Sequence, residues 1–317
     1  MHLKRRLSIL LLLLCIVVIL GLVKGAVDIP LADILLKENR AIFNMRLLRI
    51  LAAIIVGSGL SVSGIALQAV LRNSLAEPYL LGTSSGAGLA VVISMIAGIS
   101  KIYMPLAAFI GAVASIILVY NLAQEGSRIT DKSLVLSGVI ISIAFSSIIV
   151  FLVSIFGDKA VHEITWWLWG NLEVYDYRLM LLISIPVIFG IAAIYVFSQD
   201  LNAISIGEEE AVHLGIDTQK IKKAVILITA LITASLICIC GIIGFVGLIV
   251  PHMMRLVVGP NHKTLIPTTC LAASVFMVGC DIFSRTLFSP IEIPIGVITA
   301  IIGAPVFIIL LKKGKRI

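Results

Sequence analysis

The chain has 317 residues, 60% of them hydrophobic and 13% charged, with a net charge of +7 and a mean hydropathy of +1.16. The apolar residues fall in about ten runs separated by short polar punctuation, the pattern of a polytopic all-α membrane protein, since a span needs roughly 20 apolar residues to cross about 30 Å of hydrocarbon. The basic excess belongs to membrane topology, and the lack of a basic domain or an aromatic-interleaved platform excludes nucleic acid as a partner.

The first run, 7–27, follows Lys4, Arg5 and Arg6. No small-residue cleavage site follows it cleanly and many spans come later, so it is predicted to be a retained helix rather than a signal peptide. The remaining runs are 47–70, 80–98, 103–122, 134–156, 179–196, 224–243, 247–258, 265–283 and 294–311, giving about ten transmembrane helices in a single domain, 1–317. The eighth has about twelve residues and contains Pro251, His252 and Arg255, so it is either a short helix shielded by its neighbours or a re-entrant segment. Lys4, Arg5 and Arg6 at one end and Lys312, Lys313, Lys315 and Arg316 at the other read as cytoplasmic anchors. Two cytoplasmic termini require an even number of crossings, which favours ten over nine.

The second run carries Ala52, Ala53, Gly57, Ser58, Gly59, Ser61, Ser63 and Gly64, a small-residue face where helices approach closely. It continues through Gln68 into Arg72, Asn73 and Ser74, breaks at Pro78, and restarts with Gly82, Ser85 and Gly86. An interrupted element of this kind sets backbone polar groups beside a pathway or simply marks structural irregularity. Gln68, Asn73, Gly82, Ser85 and Gly86 are therefore pathway or gate candidates.

Between the sixth and seventh runs lies the polar insert 199–223, QDLNAISIGEEEAVHLGIDTQKIKK. Asp200 or Asn202 is expected to cap a first short helix, Ser205 or Gly207 to break it, and 208–214 to form a second that Gly215 ends. Glu208, Glu209 and Glu210 open that helix where its dipole favours anions, while Leu201, Ile204, Ile206, Ala211 and Leu214 make one side apolar. Two short amphipathic helices with three consecutive glutamates suit a protein partner better than an anionic lipid surface; an ordinary solvated loop is the alternative.

Further on, His252 and Arg255 share a helical face. No second ligand stands at metal spacing near His252, so the pair reads as capping or anchoring at a helix end, with Arg255 able to fix an inner gate. Cys15, Cys238, Cys240, Cys270 and Cys280 lie in or beside apolar runs and read as packing residues. With no P-loop and no recognisable hydrolytic motif, the chain is not expected to be an enzyme or to hold a cofactor, and any ATP that drives it must be bound elsewhere.

Several strings together resemble the permease subunits of the FecCD family of ABC importers. They are RLLR at 46–49, RNSLAEPYLLGTSSGA at 72–87, LSGVII at 136–141, WLWGNL at 167–172, LNAISIGEEEAVHLGI, GFVGLIVPHMMRLVVGPNH, DIFSR at 281–285 and EIPIGVITAIIGAPVF at 292–307. They cover nearly the whole chain in order. The sequence departs from the family pattern at Leu48 and Ser74, where the family has proline.

The resemblance implies a type II importer fold and a plasma-membrane homodimer around a central pathway. Two ATPase subunits that bind ATP and Mg would each grip the insert at Gly207, Glu208, Glu209, Glu210, Ala211, Leu214 and Gly215. A substrate-binding protein would dock outside on Arg46, Arg49 and Arg285, whose plainer role is to anchor helix ends. The implied cargo is a ferric siderophore or related metal chelate, with cobalamin, haem, molybdate and tungstate as alternatives. An ion-coupled secondary transporter would need ionisable groups deep in its spans, and these are scarce; Asp281, Glu292 and Arg255 lie near run ends.

Overall fold

The computed structural model describes residues 2–25, 27, 30, 33, 36–125, 128–156, 158–174 and 176–314; the predicted end anchors Lys315 and Arg316 lie outside them. In chain order the helices are α1 (His2–Val23), α2 (Arg40–Val70), α3 (Thr83–Ile96), α4 (Met104–Ala123), α5 (Asp131–Phe156), α6 (Asp158–Leu168) and α7 (Tyr177–Val196). They continue with α8 (Ser198–Ile206), α9 (Glu208–His213), α10 (Thr218–Cys240), α11 (Val246–Val258), α12 (His262–Thr286) and α13 (Ile295–Gly314). A small antiparallel hairpin, β1 (Gln124–Glu125) and β2 (Arg128–Ile129), joins α4 to α5. Among the described residues α1, α2, α4, α5, α7, α10 and α12 are long and apolar enough to cross a membrane, and α3, α11 and α13 are shorter apolar helices. The predicted runs thus reappear as helices, and the chain is an all-α, multi-pass membrane protein. The sequence reading missed α6, because Asp158, Lys159, His162 and Glu163 interrupt its apolar residues.

From Val56 to Val70 every residue of α2 is buried, and a helix buried on all sides forms the core of its bundle. Its small residues admit the neighbours: Gly57 faces Ala273 of α12, Gly59 faces Leu236 of α10 and Val187 of α7, and Gly64 faces Gly247 of α11. A Cβ on Gly64 would lie 1.8 Å from the Gly247 carbonyl oxygen, so this approach needs glycine. Around this core α1 packs on α12, α3 to α5 pack on one another, and α10 lies between α2 and α4.

Two breaks shape the interior. After α2, the Asn73 Oδ1 accepts the Leu75 N–H at 2.9 Å, Pro78 opens a 3-10 turn, and Gly82, at φ +74°, starts α3. After α10, the chain passes in extended form to Phe245, which takes φ +70° at the start of α11. The Glu77 carboxylate accepts the Phe245 N–H at 3.0 Å and the Tyr79 hydroxyl accepts the Ile243 N–H at 3.2 Å, so side chains of the first break satisfy backbone donors of the second. With 13 residues at 1.5 Å each, α11 extends for only about 20 Å. It begins part way through the bundle, beside Gly64, and is shielded there.

Candidate functional site

At one end of the bundle α8 follows α7 directly, with Phe197 as N-cap and no side-chain cap. Neither Asp200 nor Asn202 caps it, contrary to expectation. The Asn202 Oδ1 instead receives the His262 N–H at 2.9 Å and lies 2.7 Å from the His262 Nδ1, tying α8 to the start of α12. Gly207 is extended, at φ −178°, and leads into α9; Gly215, at φ +82°, turns the chain out of it. Asp217 then caps α10 through the Lys220 N–H at 3.1 Å, and its hydrogen bond with the Lys220 side chain holds the carboxyl below the usual carboxylate range.

The apolar side predicted for this pair is divided. Leu201, Ile204 and Ala211 are fully buried, whereas Ile206, Val212 and Leu214 are exposed. Glu209 and Glu210 also face solvent. Glu208 turns inward: its Oε1 lies 2.5 Å from the Lys222 Nζ, which also donates to the Asp131 Oδ1 at 2.7 Å. In the sequence Lys222 stands beside Lys220 and Lys223 with nothing to set it apart. Its burial follows from a partner 91 residues away, which local patterning does not reveal.

The pathway candidates separate into two groups. Gln68 receives the Arg255 Nη1 at 2.5 Å, and its own amide donates to the carbonyls of Ala76 at 3.2 Å and Gly247 at 3.3 Å. Arg255 on α11 is thus tied to α2 through a side-chain amide. Gly82, Ser85 and Gly86 form a packing joint with α4, in which the Ser115 Oγ donates to the Gly82 carbonyl at 2.7 Å and Gly86 faces Gly111. Asn73 closes the Asx turn already described, and His252 is half-buried on α11. A shallow groove on α5, not singled out by the sequence pattern, is lined by Ser142, Ile143, Ser146, Ser147 and Val150. Ser142 and Ser146, one turn apart, with Ser147 beside them, put a short hydroxyl stripe on a largely exposed apolar helix.

At the opposite end the three arginines form one cluster with carboxylates. Arg49 donates from Nε to the Asp281 Oδ1 at 2.5 Å and from Nη1 to the Glu292 Oε2 at 2.7 Å, with Glu173 at 3.9 Å. Arg285 lies 2.8 Å from the Asp281 Oδ2 and donates to the carbonyls of Gly21 and Lys24 at the end of α1. Arg46 is buried and donates to the carbonyls of Leu22, Val23 and Val27. Asp281 is fully buried while Glu173 and Glu292 are partly exposed, so a hollow between Arg46, Arg49, Glu173 and Glu292 opens to the surface. Among the described residues no group of His, Cys, Asp and Glu is arranged to hold a metal ion.

The two breaks, the short inner helix and the helix pair between α7 and α10 are discontinuities of the kind by which transporters set backbone polar groups inside a membrane. The chain belongs to the FecCD transport family, whose profile it matches over residues 12–313. It is 35% identical to the cobalamin import system permease of Halobacterium salinarum, over 86% of this chain and 73% of that one. It is 32% identical to the Fe(3+)-citrate import system permease of Bacillus subtilis, over 94% and 91%. A solved chain in an inward-facing conformation, provisionally titled a metal-chelate type ABC transporter, superposes with a TM-score of 0.88 at 32% identity, covering 98% of this chain and 99% of that one. The chain is an ABC importer permease of the FecCD type.

Proposed function

We propose that this permease moves a metal chelate, with a ferric siderophore as the leading cargo, inward across the plasma membrane, driven by ATP hydrolysed in a separate subunit. The observation that carries the reading is the exposed set Ile206, Val212 and Leu214 beside Glu209 and Glu210. Apolar side chains of this size on a polar segment are a docking patch, and its occupant is the ATPase. Gly207, Glu208, Ala211 and Gly215 shape that patch rather than form its contact face. The α8–α9 end is then cytoplasmic. Both termini belong to the same side, a reading supported by α1 running towards the arginine cluster and α13 running away from it.

A substrate-binding protein docks over Arg46, Arg49 and Arg285 on the outer face. Its carboxylates compete there with Glu173 and Glu292, the partly exposed members of the cluster. Two copies of the chain form the pathway between them, with the serine stripe of α5 facing it. Cobalamin, haem, molybdate and tungstate are the other cargoes to weigh, since relatives of near-equal identity carry cobalamin and ferric citrate in their names. The test is uptake into vesicles that hold the permease with its partner ATPase and binding protein. ATP-dependent accumulation of a radiolabelled ferric siderophore, in excess of cobalamin, haem and molybdate, is the expected result. Uptake that proceeds without ATP on a proton or sodium gradient would overturn the reading.

A further inference from the structure

We propose that Lys222 is the positioning residue that makes α9 move as one body with the membrane helices. The proposal rests on the reading that α9 receives the ATPase.

The backbone leaves α9 loosely held. It has six residues, is bounded by Gly207 and Gly215, and contributes from its apolar side the small residue Ala211, packed on Ile204, Ile216 and Ile221. Glycine at both ends lets such a segment swivel. What opposes the swivel is an ion cluster at its first residue. The Lys222 Nζ, on α10, lies 2.5 Å from the Glu208 Oε1 and 2.7 Å from the Asp131 Oδ1 at the first position of α5. The Arg72 Nη2, just past the end of α2, lies 3.6 Å from the Asp131 Oδ2 and 3.8 Å from the Glu208 Oε2.

Two cations and two carboxylates alternate, so the formal charges cancel while four elements are joined. The Lys222 side chain is only 5% exposed, and a buried ammonium is tolerated only while its carboxylates stay in place. Displacing α9 therefore either carries α5 and α10 with it or strands a buried charge, and the second course is the more costly. Arg72 supports the same end from a left-handed backbone at φ +44°, a conformation that residues other than glycine hold only where the surroundings require it. A force applied at the exposed face of α9 thus reaches α2, α5 and α10 through Glu208, not through the two exposed glutamates beside it.

The experiment uses the full complex of permease, ATPase and binding protein in vesicles, and needs no knowledge of the cargo. Three quantities are read: co-purification of the ATPase, its basal hydrolysis, and stimulation of hydrolysis by the binding protein added outside. Lys222→Met is expected to keep the first two and lose stimulation at least fivefold, whereas Lys222→Arg, which keeps a cation between Glu208 and Asp131, retains at least half of it. Where Lys222→Met alone does not insert, the double Lys222→Met, Asp131→Asn removes one cation with one carboxylate, leaves Arg72 beside Glu208 and carries the same expectation. Full stimulation in Lys222→Met or in the double variant overturns the proposal, as does a loss in Lys222→Arg equal to that in Lys222→Met. If the unaltered permease binds no ATPase at all, the docking reading of α9 fails, and the inference built on it falls with it.

Discussion

Arg49 is a cross-brace in the free permease, whatever else it meets. Its guanidinium spans Asp281 on α12 and Glu292 ahead of α13, and the fork geometry that suits two carboxylates at once is specific to arginine. Arg49→Glu would put a fourth carboxylate beside Glu173, Asp281 and Glu292. Breaking a buried pair from one side costs about 3–5 kcal/mol, so this variant is expected to lower the melting temperature in detergent and the yield of folded protein. Arg46→Gln separates docking from folding better, because a glutamine amide can still donate to the carbonyls of Leu22 and Val23 that Arg46 meets. If docking uses Arg46, binding-protein affinity falls in this variant and loses part of its salt dependence; unchanged affinity with a lower melting temperature assigns Arg46 to the brace alone.

At the scale of elements, the α2–α11 contact and the exit from α9 each depend on one glycine, for different reasons. Gly64→Ala drives a methyl group into the Gly247 carbonyl. Overpacking of this kind costs about 1–3 kcal/mol, and here the helices can separate only by stretching the Gln68 bonds to Gly247 and Arg255. Gly279→Ala, on α12, meets nothing within 4 Å and is the matched control. Thermal unfolding in detergent should show a clear drop for the first and almost none for the second.

Gly215 has open space around it but a φ of +82°, so the obstacle to a side chain is the backbone. Gly215→Val is expected to cost about 1–2 kcal/mol or more in that conformation and to uncouple ATP hydrolysis from uptake. Gly207 is extended, and a Cβ there meets the end of the Glu210 side chain, which can swing away. Gly207→Ala should therefore leave the coupling ratio near that of the unaltered protein, and the ratio of uptake to hydrolysis in vesicles distinguishes the two.

For the whole molecule, the exposed apolar length of α5 raises the matter of what covers it. Leu136, Ile140, Ile143, Val150 and Phe151 are exposed along one helix that also bears the serine stripe. Lipid suits the apolar residues, but a row of hydroxyls is better placed against protein or water. A second copy related by two-fold symmetry provides both. Mass measurement of the intact complex in detergent should find two permeases with two ATPases; a fully competent complex with one of each would sink the two-copy arrangement.

The sequence by itself determined the elements and their setting in a membrane. Run length and composition are local quantities, and hydrocarbon thickness converts them directly into helices, which is why all ten runs reappear and why the polar insert stands out as a helix pair. The small face of α2 was legible for the same reason, since glycine and serine at helical spacing have a consequence wherever the helix packs. Charge was legible as position only. Arg49 reads in the sequence as one of two arginines at a helix end, and Asp281 and Glu292 as isolated acids, until folding brings together residues more than 230 positions apart. Lys222 reads as one cation among several near the membrane surface until Asp131 and Glu208 enclose it. The tertiary structure alone decided which charges are buried and which are exposed, because the free energy of a buried ion depends on the distance to its partner, and that distance is set by the packing of helices far apart in the chain.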